Sequence, residues 1–122
     1  MARILVVDDE PNICSFLAWY LKEKGHTVLA ASNGEDAINI VKDERPHIVL
    51  LDINMPKMDG ITTLKKIKEI DKEIGVIMIT AAMDEETGKK ALNLGADDYI
   101  TKPIDFNYLD NVLMVKITMM TG

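Results

Sequence analysis

Four consecutive aliphatic residues, Ile48, Val49, Leu50 and Leu51, end on the carboxylate of Asp52, and the loop-like stretch Ile53-Asn54-Met55-Pro56-Lys57-Met58-Asp59-Gly60 follows. The run is too short for a helix and lacks polar alternation, so it reads as a central strand buried on both faces. Asp52 therefore stands where buried backbone meets a loop. Two readings of it are open: it starts a turn, because Asp, Asn, Pro and Gly crowd the next eight positions, or it carries chemistry.

The start of the chain bears on that choice. Arg3-Ile4-Leu5-Val6-Val7 is a second short apolar run and ends on Asp8 and Asp9, with Glu10 following. In an open parallel sheet, ligands bind outside the carboxyl ends of the strands, at the point where neighbouring connections leave for opposite faces. Two strands ending in acid thus converge on one place. Three carboxylates a few ångströms apart repel, and they stay ionised together only when a cation joins them. All-oxygen ligation with no His or Cys nearby points to a hard ion, Mg²⁺ first, with Mn²⁺ as its substitute.

Strand and helix alternate five times along the chain. Pro11 suits the opening turn of a first helix, whose stripe of Ile13, Phe16, Leu17, Tyr20 and Leu21 faces inward until Gly25 ends it. The second strand is Thr27 to Ala31. After Asn33-Gly34 a helix carries Ala37, Ile38 and Val41 inward, and Pro46 closes it. Beyond Gly60, residues Ile61, Leu64 and Ile67 mark the third helix, and Gly75 precedes a fourth strand, Val76 to Thr80, which ends on a hydroxyl. The fourth helix, Asp84 to Leu94, has the weakest propensity because Thr87 and Gly88 sit in its middle; either it is the mobile one or Gly88 permits close packing on the sheet. Gly95-Ala96 stops it, Tyr99-Ile100-Thr101 is the fifth strand, and Lys102-Pro103 follows. The last helix starts near Asp105, a capping residue, with Phe106, Leu109, Val112, Leu113 and Ile117 inward. Five such units with short connections predict one α/β domain over 1–122, a parallel sheet with helices on both faces.

Composition limits the functions open to such a domain. With 122 residues, 48% of them hydrophobic, the chain suits a single core. Cys14 is the lone cysteine, a small, partly packed helix residue, and no Cys or His grouping has zinc spacing, in keeping with a reducing, cytoplasmic setting. No apolar run approaches membrane-spanning length, so no membrane partner is expected. A net charge of -6 argues against nucleic acid being held by this chain.

Taken together, Asp8-Asp9 after the first strand, Asp52 with Met55-Pro56 and Asp59-Gly60, Thr80-Ala81 after the fourth strand and Lys102-Pro103 after the fifth resemble the receiver domain of two-component response regulators. The likeness covers essentially the whole chain; each piece is weak alone, and the ordered set is highly specific. It implies a flavodoxin-like doubly wound sheet in the order 2-1-3-4-5 with five helices. It also implies that Asp52 is the phosphoacceptor, taking its phosphoryl group from a phosphohistidine of a sensor histidine kinase or phosphotransfer protein. Asp9, Asp52 and the backbone carbonyl of Asn54 would bind Mg²⁺, with Asp8 acting mainly through water. Lys102 would supply fixed positive charge, with Pro103 in cis behind it. Thr80 and Tyr99 would be a switch pair that repacks the face of helix four, strand five and helix five; the plainer reading of Tyr99 is a half-buried strand aromatic. Asn54 and Ala82 would border the phosphoryl group and tune its lifetime.

Three other readings are weighed against this one. A Mg-dependent aspartyl-phosphate phosphatase or transferase of the haloacid-dehalogenase kind wants a second Asp two residues after the nucleophile, where this chain has Asn54. A flavodoxin-like flavin-binding module wants a hydroxyl- and Gly-rich phosphate loop after the first strand, where Asp8-Asp9-Glu10 would repel phosphate. A receiver kept only for docking would not need the complete acceptor set. The receiver reading makes the chain a signalling module rather than an enzyme on external substrates, with no output domain inside 1–122, standing alone or cut from a longer regulator.

Two surfaces are expected to meet partners. Ser15 and Trp19 lie away from the first helix's inward stripe and would help a kinase read this chain, unless Trp19 merely covers the helix flank. In the last helix Leu109, Leu113 and Met120 centre the inward stripe and Met114 lies opposite, with Val115 and Tyr108 on a flank. Lys116 falls on the stripe and would have to snorkel, distorting the last turn. Tyr108, Met114 and Val115 would then serve a homodimer formed on phosphorylation, an output domain or a target protein.

Overall fold

The structure is a computed structural model that describes residues 2–55, 58–81 and 85–121, the side chains of Glu85 and Thr121 excepted. Strands and helices alternate as β1 (Arg3–Val7), α1 (Pro11–Glu23), β2 (Thr27–Ala31), α2 (Gly34–Glu44), β3 (Ile48–Asp52), α3 (Gly60–Ile70), β4 (Gly75–Thr80), α4 (Glu85–Asn93), β5 (Asp98–Thr101) and α5 (Phe106–Thr121). All strand pairs are parallel, in the order β2-β1-β3-β4-β5. This is the flavodoxin-like order, and it puts β3 at the centre of the sheet.

Alternation of side chains along each strand splits the interior into two layers. Leu5, Val7, Val49, Leu51, Val76 and Met78 face Ala37 and Val41 of α2, Leu64 and Ile67 of α3, and Ala91 of α4. Ile4, Val6, Ile48, Leu50, Ile77, Ile79 and Ile100 point the other way, onto Leu17 and Leu21 of α1 and Leu109 and Leu113 of α5. Every residue of β3 and β4 is buried, which accounts for their unbroken apolar runs.

The helix ends follow local chemistry. Asn33 caps α2 by accepting from the Asp36 N–H at 2.8 Å, and Asp59 caps α3 by accepting from the Thr62 N–H at 2.8 Å. Asp105 accepts from the N–H groups of Asn107 and Tyr108, so the cap expected there is present. Gly25 and Gly95 have φ of 91° and 106°, the left-handed conformation that glycine adopts without strain after a helix. Gly88 is buried within α4, in keeping with close packing on the sheet.

Three expectations about helix faces need correction. Phe16 is not inward: it is 50% exposed and rests against Phe106, ring centroids 5.5 Å apart. It sits on the border of the α1 stripe, where the neighbour is the start of α5 rather than the sheet. Met120 is exposed as well. A helix of 16 residues is about 24 Å long, whereas β4 and β5 run roughly 13 to 20 Å, so the last turns of α5 have no sheet beneath them. Lys116 snorkels as expected, its stem over Gly75 and its Nζ 2.8 Å from Asp97 Oδ1, but the helix is not distorted and continues through Thr121.

Candidate functional site

The parallel arrangement brings the ends of β1, β3, β4 and β5 to one edge of the sheet. Asp8 follows β1, Asp52 ends β3, Thr80 ends β4, and Lys102 follows β5. The backbone fixes them there: Asp8 N–H donates to Ala31 O, Ile53 N–H to Ile79 O, and Lys102 N–H to Thr80 O at 2.7 Å. Asp8, Asp52 and Thr80 are buried, Asp52 being only 4% exposed, while Asp9 is at the surface.

Carboxylate oxygens of Asp8, Asp9 and Asp52 lie within 4.8 Å of one another. Three hard oxygen donors at that spacing match an octahedral divalent ion such as Mg²⁺ and offer nothing to a soft metal. Burial, reinforced by the charge of Asp8 and, to a smaller degree, Asp9, raises the Asp52 pKa from 3.8 to about 6, against the opposing pull of Lys102 and of the Asn54 N–H.

Lys102 reaches into this cluster. Its Nζ is 3.1 Å from Asp8 Oδ2, 3.4 Å from Glu10 Oε1 and 3.8 Å from Asp52 Oδ2. Burial would lower the pKa of the ammonium, but its hydrogen bond to Asp8 and the charges of Asp52 and Asp8 outweigh that and raise it. The Lys102–Pro103 bond is cis. Asn54 borders Asp52 on the open side: its N–H donates to Asp52 Oδ1 at 3.2 Å, and its Nδ2 is 3.4 Å from Thr80 Oγ1.

Other described residues singled out in the sequence lie outside this cluster. Tyr99 is 40% exposed on β5, an edge strand. Ala82 lies outside the described residues. Ser15 and Trp19 are on the exposed side of α1, with Trp19 stacked on Phe16 at 5.9 Å. Tyr108, Met114 and Val115 are exposed on α5, and the Tyr108 hydroxyl donates to Asp98 Oδ2 at 2.7 Å. The sequence pattern assigns no role to Glu10; its one signal is a third acid in a row after β1.

A family model for the response regulator receiver domain matches residues 4–114. PhoP of Bacillus subtilis, an alkaline phosphatase synthesis transcriptional regulatory protein, is 41% identical over 83% of this chain and 42% of its own length. The regulatory protein AtoC of Escherichia coli is 40% identical over 91% of this chain and 24% of its own length. A two-component response regulator from Clostridium difficile, known from its crystal structure, superposes with a TM-score of 0.95 at 28% identity over the full length of both chains.

The chain belongs to the response regulator receiver family, a family of signalling domains. It spans less than half the length of those two curated relatives. The phosphatase, transferase and flavin readings find no support in these comparisons. Among the described residues no helix is long and apolar enough to cross a membrane.

Proposed function

We propose that Asp52 accepts a phosphoryl group from a phosphohistidine on a sensor histidine kinase or phosphotransfer protein, and that residues 1–122 form the receiver unit in which this happens. The observation that carries the reading is the meeting of Asp8, Asp9 and Asp52 with the Lys102 ammonium at the ends of β1, β3 and β5. An Asp52 carboxylate oxygen attacks phosphorus, the P–N bond breaks, and its electron pair returns to the imidazole; the ionised aspartate gives up no proton. With its pKa at about 6, Asp52 is largely ionised at pH 7.

Asp9, Asp52 and the Asn54 carbonyl, with Asp8 mainly through water, would hold Mg²⁺, or Mn²⁺ in its place, which would supply positive charge against the negative charge of the carboxylates and the phosphoryl group. Lys102 balances the charge on those oxygens. The Thr80 hydroxyl turns to donate to them, and Tyr99 follows it inward as its switch partner. Asn54 and Ala82 border the phosphoryl group and set its lifetime. The domain acts on no external substrate and works in the cytoplasm, without nucleic acid or membrane as its own partner.

Incubation with acetyl phosphate and Mg²⁺ is expected to add one phosphoryl group, read by intact mass and mapped to the Asp52 peptide. Chelation of the metal and Asp52→Asn should each abolish it; labelling that survives in Asp52→Asn overturns the assignment.

Two faces serve partners. Ser15 and Trp19 on α1 meet the kinase, while Tyr108, Met114 and Val115 on α5 meet a second copy, an output domain or a target once Asp52 is modified. Trp19→Ala is expected to slow transfer from a cognate kinase about tenfold, the usual loss for an aromatic anchor, and to leave acetyl phosphate labelling unchanged. Equal loss in both assays would make Trp19 a structural residue.

A further inference from the structure

Glu10 occupies the position immediately before α1, where a short polar side chain normally accepts from the first turn, yet it makes no such cap. Its backbone N–H is taken by Asp8 Oδ1 at 2.9 Å, and its carboxylate turns instead to the Lys102 ammonium at 3.4 Å. Lys102 is thus closer to Asp8 and Glu10 than to Asp52, at 3.1, 3.4 and 3.8 Å. Among the described residues Lys102 touches three acids, of which Glu10 alone is not among the cation donors proposed above. When a divalent ion neutralises Asp8, Asp9 and Asp52, the Glu10 carboxylate is left as the acid facing Lys102 with its charge uncompensated. The Glu10 side chain is 61% exposed and so is free to let go into water.

We propose that Glu10 is a positioning residue for the phosphorylation reaction: it tethers Lys102 in the unmodified protein, and the lysine must leave it before it can settle on a phosphoryl group at Asp52. The inference rests on Asp52 being the acceptor and Lys102 its charge partner. Glu10 acts through Lys102 and touches no reacting atom. Its carboxylate competes with the incoming phosphoryl oxygens for one ammonium, so the tether slows modification.

The test is the rate of labelling at Asp52 by acetyl phosphate, with Mg²⁺ saturating for each protein, in wild type, Glu10→Gln and Glu10→Asp. Gln keeps the shape and removes the charge; Asp keeps the charge but is one methylene too short to reach. At low ionic strength both variants should label about two- to fivefold faster than wild type, the range set by a partly exposed ion pair, and the gap should close as salt screens the wild-type contact. In the unmodified proteins, with no phosphodonor present, NMR of the Lys102 ε-methylene should move in both variants, while the unfolding temperature stays put in Glu10→Gln; Glu10→Asp, which places a capping side chain before α1, should unfold at the same temperature or higher. Equal rates in wild type and Glu10→Gln overturn the tether, and so does a Glu10→Asp rate equal to wild type, which would leave only a general effect of negative charge. A wild type that takes no label at all overturns the acceptor reading itself, and this proposal with it. The two failures are therefore told apart by the unmutated protein.

Discussion

Metal-free protein carrying Asp52→Asn is expected to be more stable than wild type at pH 7, although the same change is expected to abolish phosphorylation. Asp52 is nearly out of contact with water, faces Asp8 and Asp9, and has its pKa raised from 3.8 to about 6. Below pH 4 the group is protonated both folded and unfolded, and it contributes no pH dependence. Between pH 4 and 6 the folded chain binds the proton that the unfolded chain has released, so wild-type stability falls as pH rises. Above pH 6 the full cost is present and constant. Allowing for solvent screening at the mouth of the pocket, that cost is about 2 kcal/mol, or a rise in Tm of roughly 6 to 10 °C for the variant. Calorimetry in chelator from pH 4 to 8 measures it: the two curves should meet at the acid end and separate through pH 6. Added Mg²⁺ should then stabilise wild type strongly and Asp52→Asn much less, because binding to the folded state relieves a repulsion that the variant no longer has. A variant no more stable than wild type at pH 7 in chelator would show that Lys102 already compensates the cluster.

The acids of the site are legible in the sequence because a parallel sheet leaves little freedom at its carboxyl edge: a carboxylate directly after a buried strand arrives there whatever the helices do. Thr80 and Lys102 reach the same edge for the same reason. The strand order is another matter. Hydrophobic runs name the strands but not their neighbours, and 2-1-3-4-5 follows from family resemblance rather than from spacing. What the sequence conceals are contacts between residues far apart along the chain. Glu10 and Lys102 are separated by 92 positions, and Tyr20 donates to Asp110 across 90. A helical wheel gives the direction of a side chain but not what lies opposite, which is why it places Phe16 and Met120 in the interior. For Lys116 the wheel gives the right direction, but it does not show the groove over Gly75 that lets the stem pass to Asp97 without disturbing the helix.

Gly60→Ala is expected to damage both stability and labelling, for a reason that ties Asp52 to the start of α3. A Cβ on Gly60 would overlap the Asp52 carbonyl oxygen and the Ile53 Cα, both backbone atoms. A flexible side chain could swing aside from such a contact; a backbone cannot. Nor can Gly60 move away, because its N–H donates to Ile53 O at 2.8 Å and the next turn is held by Asp59, which caps Thr62 and accepts from the Thr63 hydroxyl. Thr63 and Leu64 are fully buried, so the helix cannot translate outward as a body without opening the core between α3 and the sheet. The strain therefore falls on residues 52 and 53. Overpacking against backbone costs about 2 to 3 kcal/mol, a fall in Tm of roughly 6 to 15 °C. The distinctive expectation is functional: at a temperature where Gly60→Ala is fully folded, acetyl phosphate labelling should still drop at least tenfold, since a displacement of even ~1 Å at Asp52 misaligns the acceptor with Lys102 and the other carboxylates. Thermal unfolding paired with a labelling time course separates the two effects. A variant that loses stability yet labels at the wild-type rate would show that the loop absorbs the methyl group without moving Asp52, and that the Asp59-Gly60 pair serves the helix alone.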